Sequence, residues 1–341
     1  MKFGAVPLTT ALGTVLAHSV RLPDGTLRKG TVLGAAEISR LSAGQIHSVV
    51  VAQLDLDDVN EDIAAHKVAL ALAGAGLETG SATTGRVNLY AGAAGLLSVD
   101  AVRVLAANVV HEGLTIATLL PDTVVIAGQM IATIKIIPYA VPSAALQAVL
   151  SAVRGPVAAL HVSPWRDCGV GLVLTRTPET RASVLAKMRQ SVAKRLEPLG
   201  ARLLGEQVVA HEATSVTAAL RQQLQARSPA LLLVSGAAAT VDRADVVPAA
   251  IVAAGGRVIH AGMPVDPGNL LVLGEIPVGA TMVPVVGIPT CARSPKLNGF
   301  DFVLRRLVAG IGVTGADIMA MGVGGLLTEI ESRPMPRDQR A

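Results

Sequence analysis

From about residue 158 onward, the 341-residue chain alternates short apolar runs with segments of helical spacing, and this alternation restricts the fold most. The apolar runs include CGVGLVLT (168–175), ALLLVSG (230–236) and MVPVVGIP (282–289). The segments around them predict helices at 179–199, 214–227, 245–254 and 299–309. Strands that alternate with helices of about 10 to 20 residues are typical of a parallel sheet with helical layers. The sequence therefore predicts an α/β fold, with a three-layer domain built on a mostly parallel sheet.

The region before this domain has a mixed pattern, and we predict an N-terminal α+β, β-rich region there. The spacing of apolar residues predicts helices near 8–16, over 57–79 and over 143–153, with short β-rich pieces across 80–142. The predicted organisation has four parts: an α+β segment at 1–65, a helix and β-rich middle domain at 66–155, the α/β domain at 156–311 and a C-terminal tail at 312–341.

Composition excludes several classes of function. Hydrophobic residues make up 51% of the chain, but its apolar runs are shorter than the roughly 18 to 20 residues of a membrane span. The first residues lack a signal-peptide pattern, so we expect a cytoplasmic protein without membrane contacts. The net charge is +4, and the basic residues are scattered apart from the helix-like segment Lys187 to Arg195, without an aromatic platform, which argues against nucleic-acid binding. The two cysteines have no metal-site spacing.

Polar residues collect in the loops after the predicted strands, where ligands of parallel sheets bind. The first loop holds Thr175 and Glu179, and Glu179 is either a helix cap or a catalytic acid. In the second loop, small residues allow a close approach of main-chain N–H groups to an anion; they are Ser235, Gly236, Ala237 and Ala238. Asp242 and Asp245 follow, and Asp245 is placed to cap the next helix; the resemblance described below implies that both are metal ligands and catalytic acids.

A third loop follows the run 282–289 and is unusually polar for this chain. Its candidate ligand contacts are Pro289, Thr290, Arg293, Ser294 and Lys296. Cys291 in the same loop is either a reactive thiol or a small loop residue. A tight turn at Asp266, Pro267 and Gly268 is expected beside it. Together, the loops predict an α/β domain that binds a small anionic ligand.

The order of these loops resembles the molybdopterin-binding domain of molybdopterin adenylyltransferases, molybdopterin molybdotransferases and gephyrin-type proteins. The matching positions are Ser235-Gly236 with Asp242 or Asp245, then Pro267-Gly268-Asn269, then Ile288-Pro289-Thr290. The stretches ALGTVLAHSV (11–20) and 27–51 are similar to the N-terminal part of the molybdotransferases. The 287–301 segment is similar to binding modules fused to molybdenum-cofactor nucleotidyltransferases. The resemblance covers most of 8–60 and 168–311, but not 80–142.

This resemblance implies a protein that binds a small anionic pterin, either molybdopterin or the molybdenum cofactor, with Mg²⁺ held by Asp242 and Asp245. It also implies a homo-oligomer. Three positions depart from the family pattern: 175–179 reads TRTPE where the family has Thr-Gly-Asp/Asn-Glu, and Ala237 and Asn269 replace a glycine and a lysine. Three hypotheses stay open: a binding protein in cofactor biosynthesis, delivery or modification, an active Mg²⁺-dependent transferase, and a scaffold for a separate molybdenum-cofactor nucleotidyltransferase.

Overall fold

The computed structural model describes residues 1–327 and divides the chain into two compact units, Met1–Ser163 and Pro164–Ala341. Each unit has hydrophobic cores of its own. In the described part of the chain, no helix has the length and apolar character that crossing a membrane requires.

The first unit contains several small sheets and four helices. Its strands are β1 Lys2–Pro7, β2 Val15–Leu16, β3 Val20–Leu22, β4 Gly25–Leu27, β5 Ser48–Gln53, β6 Asp58–Asn60, β7 Leu77–Thr79, β8 Arg86–Ala91, β9 Gly95–Val99, β10 Leu114–Thr118, β11 Val124–Val125, β12 Met130–Ile136, β13 Ala140–Pro142 and β14 Leu160–Pro164. Its helices are α1 Ala35–Ala43, α2 Glu61–Leu72, α3 Ala101–Asn108 and α4 Ser143–Ala152. The sheets have the orders β1-β5-β2, β3-β4, β13-β6, β10-β12-β8-β7 and β11-β9-β14.

The first unit differs from the expected elements at three places, and strand pairing explains two of them. The predicted helix near 8–16 is wrong, because 8–10 form one 3₁₀ turn and Val15–Leu16 pair with β5. The predicted helix over 57–79 shortens to α2, since 58–60 pair with β13 and 77–79 pair with β8. Helix α3 lies in a region expected to be β-rich. Its N-cap is Asp100, whose carboxylate accepts the N–H of Arg103.

The second unit is built on one six-stranded sheet of order β16-β15-β17-β20-β19-β18. Its strands are β15 Gly169–Arg176, β16 Arg202–Ala210, β17 Leu231–Ser235, β18 Arg257–Ala261, β19 Val272–Val278 and β20 Thr281–Ile288, and its helices are α5 Ala182–Leu196, α6 Ala213–Arg227, α7 Val246–Ala253, α8 Gly299–Val308 and α9 Gly315–Ala320. The α/β class is thus confirmed. β15, β16, β17 and β20 run parallel, whereas β19 is antiparallel to both of its neighbours, which the alternation pattern did not predict.

Successive residues of the central strands belong to different cores because strand side chains alternate in direction. Leu172 and Leu233 pack in a core with residues of α5 and α8. Val173 and Leu232 pack in a second core with residues of α6 and α7. Helices therefore pack against the sheet through both sets of side chains, and the loops at the strand ends stay accessible.

The segment limits expected from the sequence differ from these features. Residue 65 falls inside α2, whose Ala64, Ala65 and Val68 pack in one core. Residues 312–327, expected as part of a tail, contain α9, and Ile318 is buried in the core of the second unit. The rest of that segment, 328–341, lies outside the described residues.

Candidate functional site

The carboxyl ends of β15, β17 and β20 lie side by side and surround a cleft of about 370 Å³. All three strands are parallel, so the loops that follow them leave the sheet at the same edge. The polar and small residues that line this cleft are Thr175, Thr177, Glu179, Thr180, Arg181, Ser235, Gly236, Ala237, Thr290 and Arg293. The cleft thus brings together residues from all three predicted ligand loops.

Thr175 is the central hydrogen-bonding residue of this cleft, although only 1% of it is exposed. Its Oγ1 accepts the main-chain N–H of Ala237 at 2.7 Å and lies 3.3 Å from the carbonyl oxygen of Ser235. The Nδ1 atom of His211, from the segment between β16 and α6, lies 2.9 Å from the same hydroxyl. One threonine therefore connects the ends of three parallel strands.

The second ligand loop, residues 235–245, is called the 235–245 loop below. Gly236 is required at its start, because a Cβ there would lie 2.7 Å from the carbonyl oxygen of Ala238. Among residues 1–327, the N–H groups of Gly236 and Ala238 have no hydrogen-bond acceptor. Main-chain N–H groups left free in a tight turn are suited to holding an anion.

The two aspartates of this loop bind their own main chain. Asp245 Oδ2 accepts the N–H groups of Val241 and Asp242, and Asp242 Oδ1 accepts the N–H of Ala244. The N–H groups of Val241 and Asp242, with a smaller contribution from His211, lower the pKa of the Asp245 carboxyl. Although Asp245 is the N-cap residue of α7, its side chain makes no cap hydrogen bond.

These two aspartates do not form a metal site with other side chains. Across residues 1–327, no group of three or more His, Cys, Asp or Glu side chains is arranged to hold a metal ion. Neither aspartate lines the cleft described above. The Mg²⁺-binding and catalytic roles predicted for Asp242 and Asp245 therefore stay predictions.

Glu179 lines the cleft at its solvent-exposed margin, three residues before α5 begins. A hydrogen bond from the Thr177 side chain lowers the pKa of its carboxyl below the ordinary value. Thr177 and Thr180 close a short turn in front of the helix, in which Thr180 Oγ1 accepts the Thr177 N–H at 2.9 Å. Glu179 is therefore ionised at neutral pH, and its catalytic role stays a prediction.

A second cleft of about 660 Å³ adjoins the first, and both are lined by Val184, Thr290 and Arg293. It is also lined by Lys187 and Lys194 of α5, neither of which forms an ion pair with another described residue. Among the residues that the structure describes, no acidic side chain lines it. The two lysines are not predicted as ligand residues from the sequence, because their position at the loops depends on the rotation of α5. Their spacing of seven residues, which places them on one helix face, was the available signal.

The third ligand loop, residues 290–297, is held from inside by Arg195 of α5 and is called the 290–297 loop below. The Arg195 guanidinium donates to the carbonyl oxygens of Ala292, Ser294 and Lys296 at 3.1, 2.9 and 3.0 Å. Its Nε also donates to Asp301 Oδ1 at 2.7 Å, and both side chains are less than 10% exposed. This interior contact was not foreseen, because a single arginine in a helix pattern gives no sign of burial.

The remaining predicted ligand residues lie around this loop. Arg293 Nε donates to the carbonyl oxygen of Thr290 at 2.9 Å, and the residue is otherwise exposed. Ser294 lines the second cleft, and Lys296 is exposed. Cys291 also lines that cleft, where its Sγ accepts the amide of Asn298 at 3.2 Å.

The predicted turn at 266–268 packs on the start of α8 and lines neither of the two clefts. The Asp266–Pro267 peptide bond is cis. Gly268 has a φ of +144°, and a Cβ there would lie 2.8 Å from the main chain of Gly299. Ala238 and Pro289 likewise do not line the clefts. For these residues, ligand contact stays a prediction.

No family model matches the chain, and no curated protein matches it significantly. Among solved structures, it is similar to a molybdenum cofactor biosynthesis protein from Corynebacterium diphtheriae, with 15% identity and a TM-score of 0.30 over 43% of this chain and 100% of that one. A molybdenum cofactor biosynthesis protein from Pyrococcus furiosus has 14% identity and a TM-score of 0.24, over 94% of this chain and 65% of that one. The molybdopterin biosynthesis enzyme MoaB from Thermus thermophilus has 14% identity and a TM-score of 0.28, over 42% and 97%. With such scores, these similarities do not assign a function to this chain.

Proposed function

We propose that this chain binds molybdopterin or a closely related anionic pterin, as a binding protein of molybdenum cofactor biosynthesis, delivery or modification. The observation that carries the proposal is the pair of joined clefts at the carboxyl ends of β15, β17 and β20. The loops around them stand in the same order as in the molybdopterin-binding domain that the sequence resembles.

The charges around the clefts support an anionic ligand. Lys187, Lys194 and Arg293 line the second cleft without an acidic neighbour among the described residues of its wall. The free N–H groups of Gly236 and Ala238 offer a second kind of anion contact near the first cleft. Lysine and arginine bind phosphate through charge-assisted hydrogen bonds, which are stronger than neutral ones. The phosphate of a pterin ligand would therefore be held on the α5 side.

The proposal is restricted to binding, because nothing described in residues 1–327 favours turnover. The main-chain contacts of Asp242 and Asp245 give no support to a resident Mg²⁺. A separate nucleotidyltransferase as partner, and assembly of several copies, stay predictions from the resemblance.

The test is molybdopterin binding by the intact protein under anaerobic conditions, followed by titration and by the fluorescence of the oxidised pterin that is released. A Lys187→Gln/Lys194→Gln double variant should bind at least about tenfold more weakly, since hydrogen bonds to charged groups contribute about 1.5–3 kcal/mol each. The matched control is Arg202→Gln. Arg202 is the first residue of β16, so it lies at the amino ends of the parallel strands, away from the two clefts. It pairs with Asp167.

Two results would contradict the proposal. One is the absence of binding to the wild-type protein at micromolar molybdopterin. The other is the same loss of affinity per removed charge in the double lysine variant and in Arg202→Gln, which would mean that net charge alone attracts the ligand.

A further inference from the structure

The hydroxyl group of Thr175 has three neighbours but only one hydrogen. A threonine hydroxyl offers one donated hydrogen and two acceptor lone pairs. The N–H of Ala237 can only donate, so it occupies one lone pair. The carbonyl of Ser235 can only accept, so it requires the hydroxyl hydrogen. All three contacts form together only if Nδ1 of His211 carries a hydrogen and donates it to the second lone pair.

His211 is placed for this contact by its own main chain. Its N–H donates to the carbonyl oxygen of Arg176 at 2.9 Å, which fixes the residue directly beside the end of β15. Its ring also lies against Gly236, since the Cε1 atom is 3.6 Å from the position of a Cβ on that glycine. The ring therefore contacts the Thr175 hydroxyl and lies beside Gly236, at the start of the 235–245 loop.

We propose that His211 is a positioning residue for the ligand cleft, which acts through Thr175. By donating from Nδ1, it directs the Thr175 hydroxyl hydrogen toward Ser235, so that the same oxygen holds the Ala237 N–H. These contacts fix the turn at 235–237, in which the N–H groups of Gly236 and Ala238 have no acceptor among residues 1–327 and can donate to an anion. The effect on ligand affinity rests on the proposed function, but the positioning itself does not.

The positioning is measured without ligand, by NMR on the intact protein. Labelling with ¹³C′-glycine and ¹⁵N-alanine isolates Gly–Ala pairs, including Gly236–Ala237, and ¹⁵N-histidine reports which ring nitrogen carries the hydrogen. The wild-type His211 should show a protonated Nδ1. In His211→Ala, the Ala237 amide signal should shift and its hydrogen exchange should become about twofold to tenfold faster, the range of one neutral hydrogen bond.

Conservative variants separate positioning from a general structural role. His211→Asn keeps an N–H donor close to the place of Nδ1 and should restore the Ala237 signal and its slow exchange, whereas Thr175→Val should reproduce the effect of His211→Ala. His47→Asn is the matched control. His47 is an exposed histidine of the other unit, and its substitution should leave the Ala237 amide unchanged.

Molybdopterin titration completes the test. If His211→Ala weakens binding about twofold to tenfold and His211→Asn restores it, the proposal is supported. Wild-type protein that does not bind molybdopterin, but whose Ala237 amide responds as expected, refutes the proposed function and supports the positioning. An Nδ1 without hydrogen, or an Ala237 amide unchanged in His211→Ala and Thr175→Val, overturns the positioning whatever the titration shows.

Discussion

The 235–245 loop and the 290–297 loop follow neighbouring parallel strands, yet they are held in opposite ways. The 290–297 loop is held by its carbonyl oxygens, three of which accept hydrogen bonds from the buried guanidinium of Arg195. The 235–245 loop is held by N–H groups, which donate to Thr175, Asp242 and Asp245. One loop is anchored to an interior cation, and the other to a hydroxyl group and to its own carboxylates.

This difference has a consequence for an anionic ligand. Carbonyl oxygens repel anions, and the 290–297 loop turns three of them inward onto Arg195. Its outward groups are then cationic, with Arg293 on the wall that both clefts share. The 235–245 loop has only a few anchors and leaves main-chain N–H groups free. The two loops therefore offer an anion two different kinds of contact. The 290–297 loop, which is anchored to Arg195, should be the more rigid of the two.

Among the substitutions that test this difference between the loops, removal of the Arg195 guanidinium should cause the largest loss of stability. Arg195→Met leaves Asp301 buried without its ionic partner and the carbonyl oxygens of Ser294 and Lys296 without a donor, whereas Ala292 keeps the hydrogen bond from Ser191. Breaking a buried ion pair by removing one partner typically costs about 3–5 kcal/mol. We expect a loss of this size in the free energy of unfolding of the second unit, measured by urea titration.

The control for this prediction is an ion pair at the surface. Arg202→Gln removes the pair with Asp167, in which both side chains are more than half exposed, and should cost less than about 1 kcal/mol. Similar losses for Arg195→Met and Arg202→Gln would show that the interior contact does not hold the 290–297 loop.

Ser191→Ala should produce a smaller loss at the same place. Ser191 is 4% exposed, donates from Oγ to the carbonyl oxygen of Ala292 at 2.6 Å and accepts a hydrogen bond from Arg195. Leaving a buried group without its partner costs about 1–3 kcal/mol, but Arg195 also donates to Ala292, so the lower end is expected. The measurement is again urea unfolding of the second unit.

Ser39→Ala is the matched substitution for Ser191→Ala. Ser39 is also a helix serine that donates to a main-chain carbonyl, that of Ala35 at 2.9 Å, but its contact is exposed to water. Its loss should change the free energy of unfolding by less than about 0.5 kcal/mol. If Ser191→Ala and Ser39→Ala lose the same free energy of unfolding, burial of the Ser191 contact does not measurably stabilise the protein.

The sequence predicted the strand order of neither unit, but residues of all three loops that it singled out line one cleft of the second unit. Buried parallel strands are nearly continuous apolar runs, so 168–175, 230–236 and 282–289 were visible, and with them the loops at their carboxyl ends. The antiparallel direction of β19 was not visible, because an apolar run carries no sign of direction. In the first unit, the helix over 57–79 was predicted too long since α2 is flanked by strand residues that continue its polar and apolar pattern.

The side chains that hold the site were harder to predict than those that line it. Arg195 and His211 act across distances of many residues, on the Ala292–Lys296 segment and on Thr175, and nothing in their local sequence marks these partners. By contrast, Thr175, Gly236 and Thr290, which line the first cleft, could be proposed from the sequence because each directly follows or ends a recognisable apolar run. Loop position can be read from periodicity, whereas burial of a charged side chain depends on the packed fold.

The smallest expected effect is a change of amide exchange in the 235–245 loop, where the Asp245 carboxylate accepts main-chain N–H groups of its own loop. The N–H groups of Val241 and Asp242 lower the pKa of its carboxyl, with a smaller contribution from His211. A carboxyl whose pKa is lower in the folded state contributes stability above its unfolded pKa and loses it as the pH falls through the folded pKa. Amide exchange of Val241 and Asp242, corrected for the intrinsic effect of pH, should therefore speed up in acid before the protein unfolds.

The Asp245→Asn variant tests whether this carboxylate is responsible. It should show faster exchange of the same amides already at neutral pH and little further change in acid. The amides of the 290–297 loop serve as the internal reference, since they should be unaffected in both experiments. If those amides open together with Val241 and Asp242, the two loops form one cooperative unit and the contrast between their anchors has no consequence for their dynamics.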